Sequence, residues 1–269
     1  MRLFRSNLRK LVRRPATFVT FLLLAGLVLL IMVAVTAASR QSTDTQSEIA
    51  SQLFLTFPGA WSLVLSVVLG IGGLLALVYG AAIAGSEWGW GTLKAAVARG
   101  ESRSRYTLTG YAAVVVMLWA VLLVTYAIGI VAAVAGASIA GISLSGIWDQ
   151  AALRQLPDLF ARAALGVAME AALGFAIATV ARSQLAGIGA GIGIYFAEGI
   201  AGIFVPGIIK WFPFAAASAL INDASPGGGG AAGTTGRLDP GTAVFATLAW
   251  LIGALVVSAL WTERAEIGG

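Results

Sequence analysis

Two carboxylates pose the first chemical question in this sequence. Glu170 and Glu198 each interrupt an otherwise apolar run of about 20 residues, the length of a membrane-spanning helix. A carboxylate at the centre of a bilayer costs about 2.5–3.5 kcal/mol on insertion scales, so such a residue should face protein or a water-filled space. Both lie roughly a dozen residues from Arg182, or about 20 Å along a helix. That sets them at similar depth on adjacent helices. Two carboxyls so placed could relay a proton or cation, or form a polar patch in a substrate path. The structural alternative is a pair of protonated carboxyls bonded to backbone or to each other, or a Glu198 that meets Lys210 or solvent.

Other chemistry is missing from the chain. It has no histidine, the commonest general base and metal ligand, and no cysteine for a thiolate or a disulfide. No Ser/His/Asp or Cys/His constellation can be built, and no residue is assigned to catalysis or to a metal. No G-x-x-x-x-G-K-[ST] phosphate loop occurs either. Gly227 to Gly230 lacks the lysine and the following helix such a loop needs. If the protein uses ATP, another chain binds it.

The other stretch of interest is polar. Ser86-Glu87-Trp88-Gly89-Trp90-Gly91-Thr92-Leu93-Lys94, continuing to Arg99-Gly100-Glu101-Ser102-Arg103-Ser104-Arg105, bridges two long apolar runs. Read as a helix over 86–100, it takes Ser86 as N-cap and Glu87 in the first turn, where the helix dipole favours an anion. Trp90, Leu93 and Val97 then share a face. Lys94 and Arg99 fall in the later turns, and Gly100 stops the helix. Such a helix would be a rigid handle for a soluble partner. The plainer alternative is an interfacial loop anchored in the headgroups by its tryptophans.

These residues need elements to position them, and the composition says which kind. Hydrophobic residues make up 59% of the 269 and charged residues 11%, less than half the share usual in a soluble domain. Mean hydropathy is +0.91. The apolar runs do not alternate as membrane β-strands would. The fold class is therefore an all-α integral membrane protein with about six spans. The 34 glycines suit close helix packing in lipid.

The spans are expected at about 17–38, 61–85, 106–135, 160–181, 185–205 and 242–261. Residues 1–15 read as an N-terminal amphipathic helix lying in the interface. Leu3, Phe4, Leu8, Leu11 and Val12 share one face, Arg2, Arg5, Arg9, Lys10, Arg13 and Arg14 fill the other, and Pro15 closes it. The remainder, 16–269, forms one membrane domain. The first run exceeds a signal-peptide core in length and reads as a retained helix, although Val35-Thr36-Ala37 resembles a cleavage site.

The outer loop after it carries Asp44 and Glu48. Segment 136–146 is read as dipping into the membrane, and 148–162 as lying at the surface, broken by Pro157. Arg182-Ser183-Gln184 makes a tight hairpin. The outer loop 206–241 begins as a re-entrant or interfacial helix pair and turns to flexible linker at 225–236. Trp211, Phe212 and Phe214 are candidates for an outer gate. Phe54, Phe57, Trp61, Trp148 and Trp261 read as belt anchors, as do Trp211 and Phe212 in the alternative to a gate. Lys and Arg concentrate in the N-terminus, the bridge, the hairpin and the tail with Glu263 and Glu266, which places both termini in the cytoplasm.

The order of these parts resembles the permease subunits of type-2 ABC exporters. The resemblance rests on Glu87, the Gly91-Thr92 pair, Lys94 and the Ser102-Arg103 pair within a six-span layout. It implies that 86–100 is a cytoplasmic coupling helix. Glu87, Trp88, Trp90, Gly91, Thr92, Leu93, Lys94, Val97 and Arg103 would contact an ATPase subunit, with Arg182 as a second, smaller contact. ATP and magnesium would sit on that partner, and this chain would bind no cofactor. A second permease chain, identical or not, would complete the path, and nucleic acid would play no part. The location implied is the inner membrane of a bacterium, and the substrate a lipophilic or amphipathic drug, lipid or peptide. The alternatives are a self-sufficient secondary transporter or channel using Glu170 and Glu198, or a membrane anchoring or regulatory subunit.

Overall fold

The computed structural model describes residues 2–41, 54–56, 59–144, 147–148, 150–221 and 237–265. Asp44, Glu48, Phe57, the linker 225–236 and Glu266 lie outside the described residues.

Every regular element among the described residues is a helix, and six are long and apolar enough to cross a membrane. In chain order these are α1 (Arg2–Val12), α2 (Pro15–Gln41), α3 (Gly59–Gly89), α4 (Thr92–Ala98), α5 (Arg103–Ala140), α6 (Gln150–Ala181), α7 (Gln184–Phe204), α8 (Pro206–Ile209), α9 (Pro213–Ala219) and α10 (Pro240–Arg264). The chain is an all-α, multi-pass membrane protein.

The local signals explain most of the boundaries. Pro15 opens α2, where its missing N–H costs nothing. Asp239 caps α10 by accepting from the Thr242 amide at 2.9 Å, with Pro240 at the first helical position. Hydrogen bonds from the Thr242 hydroxyl and amide hold the Asp239 carboxyl below its ordinary range. Ser183 caps α7 by accepting from the Ala186 amide.

Two expected breaks do not occur. No break occurs at residue 136: α5 runs on to Ala140 and stops at Gly141, whose φ of 70° lets the Ile142 amide reach the Ala137 carbonyl. Small residues suit the continued helix, because Gly136 fits against Thr36 and Leu55. Pro157 does not break the chain either, since α6 passes through it. Leu153 and Leu156 pack on an apolar cluster with Val28, Met32 and Trp61, and Asp158 pairs with Arg162 at 2.6 Å just beyond. These contacts offset the one backbone hydrogen bond that proline removes.

Helix α6 is the centre of the bundle and packs against α3, α5, α7, α9 and α10. Its approach to α3 is close. A Cβ at Gly80 would land on the Ala171 carbonyl oxygen, and one at Gly174 on the Leu77 carbonyl oxygen. Tyr111 and Trp119 of α5 donate to the Ala168 and Ala164 carbonyls of α6 at 2.7 and 2.9 Å. The apolar cluster around this contact includes Leu65, Val68, Val114, Leu118, Val167 and Phe175. Helices α2, α7 and α10 form the rim and turn much of their apolar surface outward.

Candidate functional site

Two constellations stand at opposite ends of the bundle. The first is built on Glu87. The expectation that Ser86 caps a helix over 86–100 is not met. Helix α3 continues to Gly89, so Ser86 and Glu87 occupy its last turns. Ser86 is satisfied there, donating to the Ile83 carbonyl and accepting from Arg14, both at 2.8 Å. The chain then turns at Gly91, whose φ of 64° needs glycine, and α4 starts at Thr92. The far end is as expected. Gly100 takes φ 87°, its amide bonds the Val97 carbonyl, and the Glu101 amide bonds Ala96.

Glu87 therefore points back into the fold rather than along α4. Its Oε1 receives Lys10 Nζ and Arg14 Nη2, the latter at 3.2 Å. Its Oε2 receives the hydroxyls of Thr92 and Tyr106. One carboxylate thus ties α1, α3, α4 and α5 together. Beneath it Leu93 and Ala96 pack with Tyr106, Leu3, Trp88 and Val97.

The outer side of this block is polar and aromatic. Trp90 is 67% exposed, with the Arg14 guanidinium 4.8 Å from its ring centroid. Lys94 and Arg99 are exposed. Arg182 adopts a left-handed φ of 51° between α6 and α7 and sits 5.2 Å from the Trp88 ring. Gly85 lies against the Gln184 backbone, which seats the hairpin on the end of α3. Arg103 turns elsewhere, donating to the Glu263 and Ala265 carbonyls at 3.0 and 2.7 Å and so clamping α10 to the start of α5.

The same view refines α1. Leu3, Phe4, Leu8 and Leu11 face inward, but Val12 is exposed. Lys10 and Arg14 turn in to Glu87 while Arg5, Arg9 and Arg13 stay exposed.

The second constellation is a partly open cavity of about 440 Å³ near the other end, between α3, α6, α7, α8 and α9. Glu170 and Glu198 both line it. Glu170 is 1% exposed and its Oε2 has no hydrogen-bond partner among the described residues. Gly73 makes room for it, since a Cβ there would overlap the carboxyl group. Glu198 is 6% exposed; its Oε1 accepts the Ala215 amide at the start of α9, and its Oε2 has no hydrogen-bond partner among the described residues. The backbone of α9 thus takes one oxygen, rather than Lys210.

Tyr195, one turn before Glu198, and Lys210 and Arg237 also line the cavity. The gate candidates separate. Phe214 is buried against Tyr195, with ring centroids 4.9 Å apart, and lines the cavity. Phe212 leans on Trp250 at 6.4 Å, and Trp250 Nε1 donates to the Trp211 carbonyl at 2.8 Å. Those two anchor the α8–α9 segment to α10.

Sequence reasoning missed Lys10, Arg14 and Tyr106 as partners of Glu87, and Gly73 and Tyr195 beside the intramembrane acids. The spacing of Tyr195 and Glu198, three residues apart, was the one available local signal. No protein-family model matches the chain, and no curated protein matches it.

Proposed function

We propose that this chain is the permease subunit of an ATP-driven exporter of the type-2 ABC kind, resting on a separate ATPase subunit. Its path would carry a lipophilic or amphipathic substrate. The observation that carries the reading is the Glu87 block. A short helix that carries exposed Lys94 and is preceded by exposed Trp90 is fixed to three other helices through one carboxylate. A loop that only lay on headgroups would not need that fixing. A handle that must transmit a push would, because force passes only through elements that do not yield separately.

In this reading ATP and magnesium sit on the partner, and closure of the ATPase dimer displaces α4. The shift passes through Glu87 to α3 and α5, and through Trp88 to Arg182 and the α6–α7 hairpin. A second permease chain faces the outward surface of α7. There Gly189 and Gly193 have open space beside them, whereas Gly187 and Gly191 pack inward on Ala178 and Leu77. Helix α1 lies at the cytoplasmic interface, and both termini are on that side.

The test is affinity purification of the tagged chain in mild detergent from cells expressing its native neighbours, with identification of co-eluting chains and an ATPase assay. The expected result is a stoichiometric ATPase subunit that is lost or uncoupled in Trp90→Ala and Glu87→Gln. An isolated chain without ATPase activity would overturn the proposal.

The cavity favours a second reading, a secondary transporter that works through Glu170 and Glu198. Transport by such a protein would survive Glu87→Gln and fail in Glu170→Gln and Glu198→Gln.

A further inference from the structure

The cavity at Glu170 and Glu198 has an unusual donor and acceptor balance. Both side chains are more than nine-tenths buried, both line the space, and each keeps a buried oxygen, Oε2, without a partner among the described residues. Buried acceptors are normally satisfied, so two residues that line one cavity and each bury an orphaned carboxyl oxygen need an explanation. Two cations, Lys210 and Arg237, share the lining, and Lys210 Nζ lies 5.8 Å from the Trp211 ring centroid. Among the described residues, no cation of the lining bonds either orphaned oxygen.

The rest of the wall is apolar and aromatic, including Leu69, Phe196, Ile200, Ile203 and Phe214. Phe196, Ile200 and Ile203 are also exposed on the outer face of α7, so the cavity borders the outward apolar surface of that helix. Its volume falls within the about 300–1,000 Å³ of small-molecule sites. An aromatic and aliphatic wall with acids at its base suits a cation that brings its own apolar body.

We infer that this cavity binds a lipophilic cation, with the charged centre held between Glu170 and Glu198 and the apolar body against Phe196, Ile200 and Phe214. As the substrate class of a transporter this rests on the transport reading above. As a binding site it requires no ATPase.

The test uses the purified full-length chain in phosphatidylcholine nanodiscs and radiolabelled tetraphenylphosphonium, with empty nanodiscs subtracted. Tetraphenylborate, of the same shape and opposite charge, is the comparison. Saturable binding of the phosphonium is expected, weakened at least about tenfold in the Glu170→Gln/Glu198→Gln pair. Gly70→Leu/Gly199→Leu should weaken it as well. Both glycines line the cavity, and a Cβ at either meets nothing within 4 Å outside its own chain neighbours, so the new side chains take up space there and leave both acids in place. This second pair carries the test if the double glutamine variant does not fold.

Lys210→Gln should leave phosphonium binding unchanged or tighten it. Tetraphenylborate bound as tightly as the phosphonium, a loss of phosphonium binding in Lys210→Gln, or full binding in the cavity-filled pair would each overturn the inference. The assay contains no ATP or partner chain. Its failure therefore leaves the exporter proposal standing, and failure to find an ATPase leaves this result standing.

Discussion

Glu87 gathers four side chains from four segments onto two oxygens, and two of those donors are cations. Replacing it with glutamine keeps the shape but removes the charge that Lys10 and Arg14 answer. Hydrogen bonds to charged groups contribute about 1.5–3 kcal/mol each, but the Lys10 side chain is 31% exposed and its pair is partly screened by water. We expect Glu87→Gln to lower stability by about 2 kcal/mol in total. Arg99→Gln, on the exposed end of the same segment, should change it by less than about 0.5 kcal/mol. Unfolding midpoints of the two variants in the same detergent check this, and equal midpoints would mean that Glu87 does not hold the block together. Glu87 itself was legible, as an acid in a basic polar bridge. Its partners were not, because Lys10 and Arg14 lie 77 and 73 positions away and local spacing says nothing about pairs that distant. Ser86 misled for a related reason. Its type suits a helix start, but a serine can equally bond back within a helix, and Arg14 supplies its second contact.

The elements themselves were read from runs of apolar residues, and the six long helices follow those runs because lipid demands internally satisfied backbone. Their contacts were not readable that way. Glycine is spread through the sequence, and only the structure separates glycines that face a neighbouring backbone from those that face nothing. Gly80 and Gly174 are of the first kind, and Gly26 on α2 is of the second. A methyl group at Gly80 or Gly174 would strike a carbonyl on the opposite helix, which moves only if α3 and α6 separate. Overpacking of this type costs about 1–3 kcal/mol. Gly80→Ala and Gly174→Ala should therefore lower resistance to denaturation by sodium dodecyl sulfate. Gly26→Ala should be neutral or raise it, by up to about 1 kcal/mol from helix propensity. If all three behaved alike, the close α3–α6 crossing would not be what holds the centre of the bundle. Pro157 makes the complementary point. A local breaker was overruled by packing and an ion pair that lie on either side of it.

At the scale of the whole molecule the charges sort by end. Helix α1, helix α4, Arg103, Arg182 and the end of α10 meet at one end, through Lys10–Glu87, Arg182–Trp88 and Arg103–Ala265. Helices α8 and α9, with Trp211 and the capped start of α10, lie at the other. That segregation was legible because each span reverses the chain, so alternate connections must gather on one side. Which helix lies at the centre was not legible. Helix α2 is the most apolar span yet lies at the rim, and the less apolar α6 is the most buried, as expected when the surrounding solvent is itself apolar. The basic end should face the cytoplasm. The absence of cysteine makes this directly measurable, since any introduced thiol is the only one in the chain. Ala95→Cys places it on the exposed side of α4, and Gly207→Cys on α8, where added atoms meet nothing within 4 Å. A membrane-impermeant maleimide applied to intact cells should label Gly207→Cys and spare Ala95→Cys, and inside-out vesicles should reverse the pattern. The opposite pattern would put α4 on the wrong side for any cytoplasmic ATPase. The exporter proposal would fall with it, and the acid-lined cavity near α8 would then open toward the cytoplasm.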